Sequence, residues 1–278
     1  MNRATVTEIK NTVTYKAESV EERPARISDV IKGTDVLRTG ERSLAEIEFE
    51  DHTIARLGSK TTFSLSGAAR EYRVGNGLTL ICVPKGGGGG RIVTSAISAA
   101  IEGTTVIAQE IEIPPLQPGD KPRRAGKMIF LEGNGRILTP DGKQSRAIQG
   151  GEMIIQASGD PELHAPQQVD IAALLQGASI LHSFSRALPN MSAVNKIISR
   201  QQSALARGEL RSSRATSTSP ANSATGQSDP PFRDSSAQNA VPAVCRDVGS
   251  GFFLCTMPMP GFTCAPTEGG GFVCFKPH

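Results

Sequence analysis

Residues 43–50 read SLAEIEFE, and that octet constrains the fold more than any other stretch of the chain. Ala45, Ile47 and Phe49 alternate with Glu46, Glu48 and Glu50, a period of two that does not match a helical turn. The pattern predicts a half-buried strand whose carboxylate face is solvated. Asp51-His52 then turns the chain and TIARLGS runs back, although His accepts a positive φ less readily than the Gly of an Asp-Gly tip. Similar segments follow: TTFSLS (61–66), GLTLICV (77–83), RIVTSAISAAI (91–101) and TTVIAQEIEI (104–113). KMIFLEG (127–133), GRILTP (135–140) and GGEMIIQAS (150–158) complete the series. Gly, Asp, Asn or Pro bounds each, so residues 1–160 predict a compact all-β domain.

Composition agrees with short strands and an aliphatic core: 29 Gly, 18 Pro, no Trp and two Tyr, Tyr15 and Tyr72. A net charge of +3 over 278 residues does not point to nucleic acid, and aromatic residues are too sparse to stack bases. No segment has the roughly 20 consecutive apolar residues of a membrane-spanning helix, so the chain is not expected to cross a bilayer.

The run KGGGGGR at 85–91 invites comparison with a phosphate-binding loop. A Walker A loop needs Lys-Ser/Thr and a following helix, whereas Arg91-Ile92-Val93-Thr94 follows here. The dinucleotide spacing also fails, because Arg91 stands where the last glycine would be. A connection between strands is the reading, and no cofactor is expected.

From Val169 the period changes. Ile171, Leu174, Leu175, Ala178 and Leu181 share one helical face, and Asp170 is placed to act at the N-terminus. Pro189-Asn190 interrupts, and Val194, Ile197, Ile198, Gln201 and Leu205 form a second stripe ending at Gly208. Residues 168–208 therefore predict a helical hairpin that caps the sheet. Residues 209–243 hold almost no large apolar side chains and predict a disordered linker.

Residues 244–278 form a cysteine-rich tail. CRDVGSGFFLC (245–255) and CAPTEGGGFVC (264–274) share one cysteine spacing and a Gly-Phe before the second cysteine, which reads as a small duplication. Four cysteines allow three pairings. Local closure, Cys245 with Cys255 and Cys264 with Cys274, is the expected one, each link contributing on the order of 2–3 kcal/mol by chain entropy. Zinc is the rival, but paired ligands two to four residues apart are missing. Cys82 lies in an apolar strand and reads as a buried free thiol. Disulfides imply an oxidising compartment and hence a leader that was trimmed or missed.

Taken in order, GTDVLRTGERSLAEIEFEDHTIARLGSKTTFSL (33–65), GLTLICVPKG (77–86), RIVTSAISAAIEGTTVIAQ (91–109), MIFLEGNGRILTPDG (128–142) and GGEMIIQAS (150–158) resemble the FecR domain, a periplasmic module of bacterial cell-surface signalling. The resemblance covers just over half the chain. It implies an all-β, sandwich-like or solenoid-like fold without catalysis, in which Gly40, Gly58, Gly103 and Gly133 are structural turns. No anti-sigma segment or membrane helix accompanies it, so the chain resembles the stand-alone exported members.

No catalytic constellation emerges either. His52, His164, His182 and His278 are dispersed, and neither Gly-x-Ser-x-Gly nor His-Glu-x-x-His occurs. The carboxylate row lacks the spacing of a calcium loop. Asn190-Met191-Ser192 fits a glycosylation sequon of the kind that chance supplies, and KPRR (121–124) reads as a solvated basic loop. The expected function is a non-catalytic binding or scaffold module of the periplasm or cell envelope, engaging an envelope protein or polysaccharide. The alternative is a sensory partner whose signal a separate transmembrane regulator relays.

Overall fold

The computed structural model describes residues 3–18, 20–66, 70–113 and 122–207, together with the backbone of four strands between 245 and 275. The strands of the main body are β1 (Arg3–Lys10), β2 (Val13–Lys16), β3 (Arg23–Pro24), β4 (Val30–Lys32), β5 (Val36–Thr39), β6 (Leu44–Phe49), β7 (Ile54–Leu57) and β8 (Thr62–Ser66). They continue as β9 (Glu71–Cys82), β10 (Gly90–Val93), β11 (Ser98–Ile113), β12 (Arg123–Leu138), β13 (Ser145–Gln149), β14 (Glu152–Ala157) and β15 (Gln167–Gln168). All join one largely antiparallel sheet, followed by α1 (Ile171–Gly177), α2 (Ser179–His182) and α3 (Met191–Ala206). The protein is thus an all-β domain followed by a helical segment. No helix among the described residues is long and apolar enough to cross a membrane.

Three long strands give the sheet its shape by bending at glycines. Strand β9 bends at Gly77 (φ 70°), β11 at Gly103 (φ 55°) and β12 at Gly133 (φ 82°), backbone conformations that side-chain-bearing residues rarely adopt. Before its bend β9 pairs with β8 and β10, and after it with β7 and β11. The β11–β12 ladder likewise shifts register between Glu102 and Thr105. The sheet thereby doubles over one core, to which Tyr72, Ile92 and Ile137 contribute from one layer and Ile81, Val106 and Phe130 from the other.

Sequence patterning ends strands at Gly103 and Gly133, whereas the structure runs single strands through both. A positive-φ glycine can bend a ladder as well as end it, and the long partner strand decides which. RIVTSAISAAI breaks earlier than expected, at a turn in which the Thr94 amide donates to the Ile97 carbonyl at 2.9 Å. The glycine run connects β9 to β10.

A second core lies on the other face of the same strands, under the helices. Ile54, Leu80, Ile107 and Ile129 meet Ile171, Leu175, Ile180 and Val194 there. Asp170 caps α1, accepting from the Ala173 amide at 3.0 Å. The first helix of the anticipated hairpin is broken: Ala178 is extended (φ −89°, ψ 93°), separating α1 from the single turn of α2. The cause lies in the sheet below, as described next.

The tail strands β16 (Cys245–Gly249), β17 (Phe252–Cys255), β18 (Thr263–Pro266) and β19 (Phe272–Phe275) form a separate antiparallel sheet in the order β16-β17-β19-β18. The expected linker at 209–243 lies outside the described residues.

Replacing Gly77 tests the bend. An added Cβ would lie 2.5 Å from Thr61 Oγ1 and 2.7 Å from Thr61 Cα, on a residue already at positive φ. Gly77→Ala is expected to lower the unfolding free energy by at least about 1–3 kcal/mol, measured by urea denaturation.

Candidate functional site

Arg56 is fully buried on the face of β7 that looks toward the helices. Its Nε donates to Glu46 Oε2 at 2.9 Å, and Nη1 donates to the Leu181 carbonyl at 3.1 Å and the Ile180 carbonyl at 3.4 Å. Nη2 donates to the Arg186 carbonyl, and the guanidinium lies 4.5 Å from the Phe184 ring centroid. These carbonyls belong to α2 and the segment after it. The helix break at Ala178 turns them down onto the one buried cation able to satisfy several at once.

The anticipated solvated carboxylate face is corrected here. Glu46 is buried, and its second oxygen accepts from Thr7 Oγ1 at 2.9 Å and Arg186 Nε at 3.1 Å. Glu48 accepts from Arg186 Nη1 at 2.9 Å. Only Glu50 of the row is exposed. The helical segment covers this face with Arg186, a long-range event that alternation alone cannot reveal.

Beside this anchor the sheet and the helices enclose a cavity of about 380 Å³. Its floor is Leu78, Ile107, Lys127 and Ile129, its roof is drawn from Leu174 through Ser183, and Arg42 stands at its edge. Lys127 is only 5% exposed, yet it makes no hydrogen bond or ion pair among the described residues. Burial alone lowers its pKa to about 8. Directly across the β11–β12 ladder stands Gln109, whose buried Oε1 also has no hydrogen-bond partner. Both occupy the strand positions that supply the second core, between Ile107 and Ile111 and between Ala125 and Ile129. The described lining contains two basic residues and no carboxylate.

Neither Lys127 nor Gln109 stood out in the sequence. The available signal was a Lys in phase with Ile129 and Leu131 within KMIFLEG, a cation on an apolar face.

Other candidates resolve into architecture. Asn190 Nδ2 donates to Glu132 Oε1 at 2.8 Å, the Val83 carbonyl at 3.0 Å and Thr105 Oγ1 at 3.3 Å, so the sequon amide fastens the start of α3 to the sheet. Cys82 is a buried free thiol whose pKa burial raises. His52 forms the β6–β7 turn at φ 64°. Gly40 and Gly58 lie against Thr12 and Leu78, where an added Cβ would come within 3.3 Å and 3.2 Å of neighbouring atoms. Arg123, from the basic KPRR stretch, pairs with Asp160 at 2.6 Å. A second, open hollow near Gly150 and Gln201 is bordered by polar groups already in use, Gln201 bonding Val169 and Ile171.

No family model matches the sequence, and no curated protein matches it. The fold is similar to two crystal structures of a proposed anti-sigma factor from Parabacteroides distasonis, determined at 1.65 Å and 2.50 Å. Identity is 14% and the TM-score 0.38 in both. The likeness covers 51% of this chain and 65% of that chain in the first, and 53% and 71% in the second.

Two substitutions follow from the geometry. Arg56→Met leaves the Glu46 carboxylate short of a partner and three carbonyls unmet, and should cost about 3–5 kcal/mol in denaturant unfolding. Lys127→Met should stabilise. The folded pKa of about 8 lies below the 10.5 of an ordinary lysine, so below pH 8 both states are charged and the full burial cost is present. Between those values the unfolded chain holds more protons, and wild-type stability rises with pH. The advantage of Lys127→Met should therefore be on the order of 3 kcal/mol at pH 7 and shrink toward pH 10.5, read from melting curves across that range.

Proposed function

We propose that this protein is a non-catalytic binding module of the cell envelope, built on a FecR-like β domain, that holds a small molecule between its sheet and its helical cap. The observation that carries this reading is Lys127, a desolvated cation with no internal partner, facing a cavity of ligand-binding size. Leaving a buried charge unmet costs stability, and a bound ligand that meets it offsets that cost. The described lining supplies no carboxylate or imidazole to move a proton, which favours holding over turnover.

Placement in an oxidising compartment draws support from the tail backbone. Cys245 is the register partner of Cys255, and Cys264 of Cys274. Directly opposed residues of antiparallel strands lie about 4.5–5.5 Å apart at Cα, inside the range a disulfide spans.

Two measurements test the reading. Full-length protein denatured without reductant should expose one thiol, Cys82, to a labelling reagent; five labelled cysteines would remove the envelope assignment. In a thermal-shift screen of small anionic, neutral and cationic compounds, at least one class should raise the melting temperature. That shift should be lost in Ala178→Phe, which fills the cavity; a shift unaffected by Ala178→Phe would place binding elsewhere.

A further inference from the structure

The cavity's chemistry goes further than its existence. Its walls are mostly aliphatic, with Ile107, Ile129 and Leu174 beside four serines, and its charged positions are both cationic. Lys127 is deep and unpaired, whereas Arg42 is exposed at the edge. Elsewhere on the same sheet face buried charge is hydrogen-bonded: Arg56 has Glu46, and Glu132 has Asn190 and Thr105. Lys127 stands apart from that rule, and next to it Gln109 leaves a buried carbonyl oxygen unmet. The cavity therefore offers an ammonium, with the Gln109 amide beside it on the next strand, against a lining that is mostly hydrocarbon with serines among it.

We propose that the cavity binds a small amphiphile with a single anionic head, a medium-chain carboxylate in its simplest form, the head on Lys127 and the apolar body along Ile107 and Ile129. A carboxylate supplies the acceptor that Lys127 lacks, and its charge is met where water is largely excluded, the setting in which a charge-assisted hydrogen bond is strongest. Gln109 sits within one ladder position and can turn its amide toward the same head or, with its oxygen, toward a hydroxyl next to it. A dianion or a bulky polar head would leave charge unmatched against Leu78 and Ile107. At about 380 Å³ the cavity is near the lower end of ligand pockets, so short and medium chains fit better than long ones.

This inference rests on the cavity being the binding site proposed above, and the test separates the two. Titration calorimetry on the full chain would compare hexanoate, octanoate and decanoate with octanol and octylamine, which carry the same kind of body with a neutral or cationic end. Octanoate should bind roughly 10- to 100-fold more tightly than octanol. Lys127→Met, which should fold more stably than the wild type, should erase that preference while leaving octanol binding intact. Lys127→Arg should retain part of it, and Arg42→Gln should change it little, since an exposed charge is screened. Octanol binding as tightly as octanoate, or octanoate binding undiminished in Lys127→Met, would overturn the anionic ligand and leave the cavity reading standing. Failure of all five compounds, together with no ligand class in the thermal-shift screen, would bring down both.

Discussion

A guanidinium with no access to solvent organises this molecule. Arg56 sits in the middle of an apolar sheet face, where an isolated charge would be prohibitive, and each of its three nitrogens finds an acceptor. One acceptor is a carboxylate from the adjacent strand, and the others are carbonyls more than a hundred residues away in sequence. Arg56 thus fixes α2 to the sheet by hydrogen bonds that set its rotation, while Asn190 fastens the start of α3 separately. Hydrophobic burial alone would hold the helices down without setting that rotation; the guanidinium sets it. The cavity roof, which includes Ile180, owes its position to the same contacts.

The two faces of the sheet obey different rules. The inner face is largely apolar and calls chiefly for volume, which Ile81, Val106 and Phe130 supply. The outer face mixes Glu46, Arg56, Gln109, Lys127 and Glu132 among Leu and Ile. Polar groups in such a place either close on one another or keep an unmet valence. Arg56, Glu46 and Glu132 close: they tie down α2 and the start of α3. Lys127 and Gln109 do not, and Lys127 faces the cavity between α2 and the sheet. Architecture and the proposed binding site are therefore made from the same kinds of residue on the same face, distinguished by whether a partner is present.

This division explains what was legible in the sequence. Alternation in SLAEIEFE and its successors marked the strands, because period-two burial of the inner face is local information. The direction of Glu46 and Glu48 was equally legible, but their burial was not: the arginines that cover them come from residues 56 and 186, and the latter arrives only after the sheet is complete. Glycines at 103 and 133 marked a change of direction without saying that one strand passes through it, since the register of the long partner decides that. Asn190 read as a chance sequon because three of its partners, Val83, Thr105 and Glu132, are distant in the chain. Lys127 was in phase with apolar neighbours all along. What the sequence could not show is that nothing stands opposite it.

Lys127 is also the residue least explained by stability. A Met or Leu at that position would fill the same outer core and remove the desolvation cost, as hydrophobic replacement of buried charge commonly does. Arg56 is different, because its removal leaves carbonyls and a carboxylate unmet. The two buried cations thus carry opposite signs in the energetics: one is repaid inside the fold, and the other only when something from outside enters. On the reading proposed here, a fold that retains the second kind within a cavity is balanced for occupancy, more stable filled than empty, and the gain scales with how well the entering group answers an ammonium.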